Sequence, residues 1–387
     1  MVVMGRIVGT FALAALALGI GAERAQASDR FALRGFGGAA FAQVGNDGRW
    51  ADAATKDGDF GNYDLALNLA AQPWSRLGAR VQGYVGHNLR GEKVSLDYGF
   101  AEYAQSPAFK LRAGKVLTPF GLYSEIYDVG TLRPFYYLPQ FYEGRLGLIP
   151  KAYLGGGITG VGRLGGDWEL GYDAFGGQMR FAEFTTSQFS GFDPATQLPI
   201  IDEADAQLVG SKMVGGRLLL ASPARGFDIG GSVFYIGDVK QQTAQGRVPF
   251  TTGPDATFAN GRVQYQRGGF VARAELFGVY TQNADVTSYY VEVSQRLFKH
   301  WQVAGQYEKA DLALNPGDDS VPPPLRKHDS VGGAVNFWIR ANLVVKLNLY
   351  HVEGNLLNSP KGAIVSYLTN TLVTHTNVFV LGTQFSF

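Results

Sequence analysis

The sequence contains no cysteine, and after residue 27 it has no apolar run long enough to cross a bilayer as a helix. A stray thiol is a hazard in an oxidising compartment, so the absence of cysteine fits an exported protein. A membrane-spanning helix needs about 20 consecutive apolar residues. If residues 28–387 lie in a membrane, they therefore cross it as strands.

An excess of either charge is also lacking. The full chain has 34 basic and 33 acidic residues. Beyond residue 27, where Arg6, Glu23 and Arg24 no longer count, the two signs balance and the formal net charge is zero. Domains that bind nucleic acid carry a clear basic excess, so the composition gives no indication of a nucleic-acid partner.

Signatures of catalysis are sparse. No G-x-x-x-x-G-K-[ST] phosphate loop occurs, and the five histidines lack the paired spacing of a metal site. A lipid-active barrel enzyme would need a serine and a histidine on adjacent strands. His351 with Ser330 or Ser366 is the one candidate pair, and an interfacial position explains His351 more simply. We expect no enzyme activity, no bound metal and no cofactor.

The first 27 residues have the pattern of a secretory signal peptide. Arg6 gives a positive start, residues 7–20 are apolar or small, and Ala25-Gln26-Ala27 offers a cleavage site. The alternative is an N-terminal membrane anchor, for which the apolar run is too short. The mature chain is therefore expected to begin at Ser28.

From residue 31 onward, apolar and polar residues alternate with the period of two that is typical of strands. Many segments keep this alternation for ten or more residues, whereas membrane strands need about 9–11 and ordinary strands are shorter. Sixteen such segments are joined alternately by short turns and by longer, mostly polar connections, as in bacterial barrels. Fourteen and eighteen strands also fit the pattern.

Residues 28–387 are therefore expected to form an all-β, transmembrane antiparallel β-barrel of about sixteen strands. In hydrocarbon, unpaired backbone groups are costly, so a membrane sheet must close on itself. One set of alternating residues, such as Leu67, Val81 and Leu347, would face lipid. The other set, such as Asn68 and Gln82, would face inward, where a polar lining requires water. Sixteen strands leave an aqueous lumen.

The longest connection, residues 117–154, is the most informative. It holds nine aromatic residues and four prolines, too much apolar surface for a solvated loop. We expect it to pack on the inside wall and narrow the lumen. The alternative is a plug, or a clasp on a neighbouring subunit. If the loop narrows the lumen, its charged residues set the constriction. These residues are Glu125, Asp128, Arg133, Glu143, Arg145 and Lys151.

The register of the strands places more basic than acidic residues on the inner face, nine against six. Rings of arginine or lysine favour anions, so a weak anion preference is expected. The alternative is that opposite charges on neighbouring strands pair as structural ladders. The residues expected to line the pore are Arg80, Arg112, Arg217, Arg273, Arg296 and Lys346.

The final strand resembles the C-terminal assembly signature of Gram-negative trimeric porins. Phe387 ends the chain, and Phe385, Leu381 and Phe379 precede it at alternate positions, interrupted by Thr383. The resemblance implies that Phe387 and Phe385 are read by the barrel-assembly machinery. It also implies a homotrimer in the outer membrane of a Gram-negative bacterium, with a third loop folded into the lumen.

A second stretch, LRAGKVLTPFGLYSE from Leu111 to Glu125, is similar to the strand-to-loop junction of the phosphate-selective porin superfamily. In that group a Gly-Lys or Gly-Gln pair leads into Pro-Phe-Gly. The arginine ladder and lysine cluster of the phosphate channels are not evident in this sequence. Phosphate selectivity is therefore not implied.

The expected function is passive diffusion of small hydrophilic solutes or ions across the outer membrane through a water-filled channel. The barrel that forms this channel is expected to be embedded in the outer-membrane lipid. Two other functions compete with it. A plugged binding or adhesin barrel would have a blocked lumen, and a lipid-active enzyme would need the serine and histidine pair described above. Conductance of single channels distinguishes the first function from the other two.

Overall fold

The computed structural model describes residues 30–46, 56–88, 91–124, 126–143, 149–181, 184–192, 194–195, 199–224, 226–243, 252–316, 321–358 and 363–387. The expected signal peptide, residues 1–27, lies outside the described residues. The helices in these ranges are short, at Gln140–Glu143 and Ala363–Leu368. None of them is long and apolar enough to cross a membrane.

Long strands make up most of the molecule, and every strand pairs antiparallel with its neighbours. In chain order they are β1 (Phe31–Val44), β2 (Asp59–Trp74), β3 (Leu77–Asn88), β4 (Gly91–Ser106), β5 (Phe109–Leu117), β6 (Ala152–Arg163), β7 (Glu169–Arg180), β8 (Phe184–Phe192), β9 (Pro199–Ala221), β10 (Phe227–Thr243), β11 (Thr252–Gly253), β12 (Ala256–Arg267), β13 (Phe270–Thr281), β14 (Ala284–Leu297), β15 (Trp301–Leu314), β16 (Lys327–Arg340), β17 (Leu343–Gly354) and β18 (His375–Ser386).

Sixteen of these strands form a closed barrel, which confirms the predicted fold class and strand number. Strand β1 pairs with β2 on one side and with β18 on the other, so the sheet has no free edge there. The backbone amides of Gly35 and Phe387 donate to each other's carbonyl oxygens at 3.0 and 2.9 Å. Closure satisfies the backbone groups that hydrocarbon would leave unpaired.

The two remaining strands, β8 and β11, are additions outside the barrel ring. Strand β7 pairs directly with β9, and β10 pairs directly with β12. Strand β8 pairs with residues 199–206 of β9, and β11 pairs with residues 239–240 of β10. Both strands fall within the longer, mostly polar connections of the predicted pattern. Pairing nevertheless continues past the barrel rim.

Alternation of exposure along the strands matches the predicted register. Leu67 is 45% exposed while the next residue, Asn68, is 8% exposed. Val81 and Gln82 show the same contrast, at 44% and 2%. The more exposed set forms the apolar outer face, and the more buried set points inward.

The interior differs from the expected polar lining on one side. Inner-face aromatic residues of β7, β10, β12, β13 and β14 belong to one buried apolar cluster. They include Phe175, Phe234, Phe258, Phe277 and Tyr290. The expectation of a uniformly wet interior is therefore corrected: this part of the barrel holds a dry core. The cluster is dry because residues of the β5–β6 connection pack into it.

Candidate functional site

The connection between β5 and β6, residues 118–151, is named here the β5–β6 loop. Its two ends meet, because the Thr118 amide donates to the Lys151 carbonyl oxygen at 3.0 Å. A short helix, Gln140–Glu143, lies within it. Its described residues contact inner-face side chains of the barrel wall as well as one another.

Apolar packing accounts for much of the loop's aromatic content. The Phe120 ring lies 4.9 Å from Phe234 and 6.1 Å from Phe277, measured between centroids. Phe141 stacks on Phe277 at 4.4 Å. Each of these loop rings is at most 1% exposed. Burial of such large side chains supplies the main attraction between the loop and the wall.

On the other side of the barrel, glycines of the wall allow the loop to approach closely. The Phe135 ring lies 5.6 Å from that of Tyr350. A Cβ atom placed on Gly382 would lie 2.6 Å from the Tyr136 ring, and one on Gly38 would lie 3.1 Å from the Tyr136 hydroxyl. Larger residues at these two wall positions would displace Tyr136.

Three buried carboxylates on consecutive strands hold the loop by hydrogen bonds. Glu275 on β13 accepts from the Leu122 amide at 2.7 Å and from the Tyr142 hydroxyl at 2.8 Å. Glu292 on β14 accepts from the Tyr123 hydroxyl at 2.8 and 2.9 Å.

The third carboxylate is Glu308 on β15. It accepts from the amides of Gln140 and Phe141 at 2.7 and 2.8 Å, where the short helix begins. The amides at the start of a helix have no partner within the helix, and a carboxylate satisfies them well. The acidic residues that the alternation places on the inner face thus include the loop's anchors, although the pattern alone does not assign them that role.

The tyrosines of this contact remain protonated donors. Burial, followed by the neighbouring Glu292 carboxylate, raises the pKa of Tyr123 well above its usual value. Burial and the Glu275 carboxylate raise the pKa of Tyr142 in the same way. Both hydroxyl groups therefore keep their protons across the physiological pH range and continue to donate to the wall.

Lys346 on β17 is a fourth anchor. Its ammonium group donates to the carbonyl oxygens of Gly130, Arg133 and Phe135 at 2.8, 2.6 and 3.1 Å. The side chain is completely buried. The expectation that Lys346 lines open water is therefore corrected: it points inward as predicted, but the loop covers it.

The charges predicted for the loop have different surroundings. Asp128 and Lys151 meet, with Lys151 Nζ 2.5 Å from Asp128 Oδ2. Arg133 is only 7% exposed, so it is not an open constriction charge. Glu125 and Arg145 lie outside the described residues, and Glu143 is the last residue of the short helix.

Lys151 also contacts Asp97 of β4, at 2.7 Å. Sequence reasoning misses Asp97, because the alternation shifts at this point. The pairing of β3 with β4 changes register between Gln82 and Gly83, so Asp97 and Tyr98 both lie among inner-face residues. A bulge of this kind has no sequence signal beyond the break in the pattern.

Several predicted pore-lining arginines pair with carboxylates on adjacent strands. Arg112 lies 2.7 Å from Glu102, Arg217 lies 2.8 Å from Asp173, and Arg273 lies 3.4 Å from Glu292. The alternative of structural charge ladders therefore describes these three arginines. Arg217 and Arg273 are also nearly buried, which corrects their expected exposure to the channel.

Arg80 and Arg296 remain exposed on the inner side. Arg296 lies over the Trp338 ring at 4.2 Å. Arg80 lines a cavity of about 370 Å³ at the short-turn end of β1–β4. That cavity also includes Arg30, Arg76 and Glu102, and its wall carries small residues such as Ala32, Ala70, Gly78 and Ala104.

The last residues of the chain stack on the outer face. The rings of Phe385 and Phe387 lie 6.5 Å apart with an interplanar angle of 9°. A Cβ atom on Gly35 would lie 2.1 Å from the Phe387 ring, so this glycine makes room for it. These contacts place both phenylalanines at the seam between β18 and β1.

The candidate serine and histidine pair does not form. His351 lies on the exposed outer face and contacts Asn377 at 2.7 Å. Ser330 is buried on the inner face of the adjacent strand, and Ser366 lies in the helix Ala363–Leu368. Within the described ranges, no group of three or more metal-binding side chains is present.

A closed sixteen-stranded barrel with these features has the fold of the outer-membrane porins. Three solved structures illustrate the likeness. OmpT of Vibrio cholerae, an outer membrane protein in its trimer form, has a TM-score of 0.55 at 11% identity, covering 92% of this chain and 99% of that one. OmpF of Salmonella typhi, in complex with daunomycin, has a TM-score of 0.53 at 11% identity, covering 92% and 97%.

The third structure is the anion-selective porin from Comamonas acidovorans, with a TM-score of 0.51 at 12% identity over 92% of this chain and 99% of that one. No protein-family model matches the sequence, and no curated protein matches it. At these identities the likeness concerns the fold.

Proposed function

We propose that the protein is a porin that lets small hydrophilic solutes or ions diffuse passively across the outer membrane of a Gram-negative bacterium, with a weak preference for anions. It catalyses no reaction and needs no cofactor. Residues 1–27 act as its signal peptide, and residues 28–387 form the channel. The single observation that carries the proposal is the uneven filling of the barrel interior.

The apolar packing and the buried anchors of the β5–β6 loop lie mainly on the side of the wall formed by β7–β18, and its contacts with Gln82 and Asp97 on β3 and β4 are polar. On the β7–β18 side the inner face carries bulky aromatic residues and the four buried anchors. At the short-turn end of β1–β4 the inner face carries alanine and glycine, and the cavity with Arg80 lies there. Water and solutes would pass along this side, between the wall and the loop.

The loop's exposed surface supports this route. Leu132 is 53% exposed, and residues 126–129 are half-buried. This surface would form the constriction, with Asp128 and Lys151 as its charged residues. The exposed Arg80 and Arg296 would favour anions, since most other inner-face arginines are paired.

Single-channel recording in planar bilayers tests the proposal. The purified protein should give stable, ohmic steps, and replacing residues 125–145 by a short Gly/Ser linker should raise the conductance. A matched control is deletion of residues 184–206, the segment that contains β8 and the part of β9 that pairs with it. Absence of any steps from correctly folded protein would rule out a porin.

The plugged binding barrel stays as a second proposal, and one observation favours it. The loop reaches both sides of the interior: Gln82 on β3 donates to Asp128 at 2.5 Å, while Lys346 on β17 binds the loop's carbonyl oxygens. A loop that spans the lumen in this way could block it. The plugged barrel would conduct only after residues 125–145 are replaced.

Assembly as a homotrimer, with Phe387 and Phe385 read by the barrel-assembly machinery, belongs to the same proposal. The trimer form of the Vibrio cholerae protein supports it by fold alone. Light scattering of the detergent-purified protein, with the detergent contribution subtracted, gives the subunit number. A mass of one subunit would contradict the trimer without affecting the proposed channel.

A further inference from the structure

The ammonium group of Lys151 sits in a seat formed by two carboxylates and two aromatic rings. Its Nζ atom lies 2.7 Å from Asp97 Oδ2 and 2.5 Å from Asp128 Oδ2. It also lies over the rings of Tyr84 and Tyr127, at 5.5 and 5.1 Å from their centroids. The faces of aromatic rings attract cations, and cages of this composition hold ammonium groups.

The seat is built by parts of the protein other than Lys151. Asp97 comes from β4, Tyr84 from β3, and Tyr127 and Asp128 from the middle of the β5–β6 loop. Gln82 donates to both carboxylates, at 3.2 and 2.5 Å, and so ties the wall to the loop. Lys151 enters from the far end of the loop, just before β6. The seat therefore keeps most of its connections when the ammonium is removed.

The charge of the seat depends on Lys151. The two carboxylates contribute two negative charges, and the ammonium group cancels one of them. The Lys151 side chain is 20% exposed, and each aspartate side chain is 9% exposed. The group is thus partly shielded from water, where charge acts more strongly than on an open surface.

We infer that Lys151 limits cation permeation through the lumen, because it fills with its own ammonium group a seat that would otherwise bind cations. Organic ammonium ions are the ligands that the empty seat fits, since the two rings and two carboxylates already hold one such group. This inference rests on the proposed porin function and adds Lys151 to the residues that set its selectivity.

The test compares Lys151→Ala with the unchanged protein in planar bilayers under a KCl gradient. The substitution should raise the potassium-to-chloride permeability ratio by roughly fivefold, as expected for one charge at a partly shielded site. The missing part of the side chain corresponds to n-propylammonium. Added n-propylammonium should therefore restore the original ratio in Lys151→Ala and leave the unchanged protein unaffected.

Three controls make the result specific. Lys151→Arg keeps the charge and should keep the selectivity. The uncharged n-propanol should have no effect on Lys151→Ala. The double variant Lys151→Ala with Asp128→Asn should lose most of the response to n-propylammonium, because one carboxylate of the seat is gone.

If Lys151→Ala fails to fold, Lys151→Met, which keeps the bulk of the side chain, takes its place in the permeability measurement. A conducting Lys151 variant with unchanged permeability ratio and no response to n-propylammonium would overturn the inference. That outcome would not contradict the proposed porin function. Absence of conductance in the unchanged protein would instead reject the porin function itself.

Discussion

At the scale of single residues, the inner face separates charges that anchor from charges that remain open to solutes. Lys346 and Arg80 both point inward by register, yet Lys346 is completely buried beneath the β5–β6 loop and Arg80 is exposed. A buried ion with satisfied hydrogen bonds contributes to the arrangement of the chain. An exposed ion contributes to the field that solutes meet.

Replacing Glu308 should weaken the attachment of the loop. Glu308→Ala leaves the buried amides of Gln140 and Phe141 without an acceptor, and each unsatisfied donor costs about 1–3 kcal/mol. We expect a lower midpoint temperature of heat-induced unfolding, measured by gel mobility, and Glu308→Gln should fall between. Glu353, whose side chain is 68% exposed, is the matched control, and Glu353→Gln should leave the midpoint unchanged. Equal midpoints for all three variants would contradict the anchoring role.

Arg80→Ala should shift selectivity away from anions with little change in thermal stability, because it removes an exposed inner charge. Lys346→Met should instead lower the unfolding midpoint with little change in selectivity, because it removes the ammonium donor shared by three loop carbonyl oxygens. Reversal potentials and unfolding midpoints of the two variants form the test. A large selectivity change in folded Lys346→Met would show that this lysine is open to the channel after all.

At the scale of elements, the β5–β6 loop fits the barrel because the inner wall is complementary in shape to the loop. Aromatic residues of β10, β12 and β13 meet the loop's own rings on one side. Glycines of β1 and β18 admit Tyr136 on the other. Prolines restrict the loop further. We therefore expect the β5–β6 loop to keep one fixed position in the lumen.

Gly382→Ala should disturb that fit. Its new Cβ would lie 2.6 Å from the Tyr136 ring, which is closer than real contacts allow. The loop should shift, lowering the unfolding midpoint and changing the conductance. Gly305→Ala is the control, since a Cβ at Gly305 meets nothing within 4 Å. Identical behaviour of the two alanine variants would mean that Tyr136 is not held against β18.

At the scale of the whole molecule, closure of the barrel depends on the seam between the first and last strands. The backbone groups of Gly35 and Phe387 exchange two hydrogen bonds there, and the Phe387 ring covers Gly35. A barrel with an open seam would expose unpaired backbone groups to lipid. The end of the chain is thus part of the closure as well as a candidate assembly signal.

Deleting Phe387 should reduce the folded, heat-modifiable fraction in outer membranes, because both hydrogen bonds and the ring contact at the seam are lost. Phe298, a 90% exposed phenylalanine in a short turn, provides the control. Phe298→Ser should leave the folded fraction unchanged. If deletion of Phe387 also leaves it unchanged, neither the seam contact nor the assembly role of this residue holds.

The sequence by itself determined the sixteen barrel strands, the face on which most of their residues lie, and the closed barrel. Alternation is a local property, and hydrocarbon penalises every arrangement that leaves backbone groups unpaired. The alternation is expected from residue 31 onward, and β1 begins at Phe31. The aromatic content of residues 117–154 also indicated a loop that must pack on something.

The tertiary structure decided which inner-face charges the loop covers and which it leaves open. Lys346 and Arg80 share the same pattern in the sequence, and only the path of the β5–β6 loop tells them apart. Asp97 meets Lys151 because a register shift turns it inward, which alternation cannot anticipate. Burial depends on contacts between segments far apart in the chain, so no local pattern encodes it.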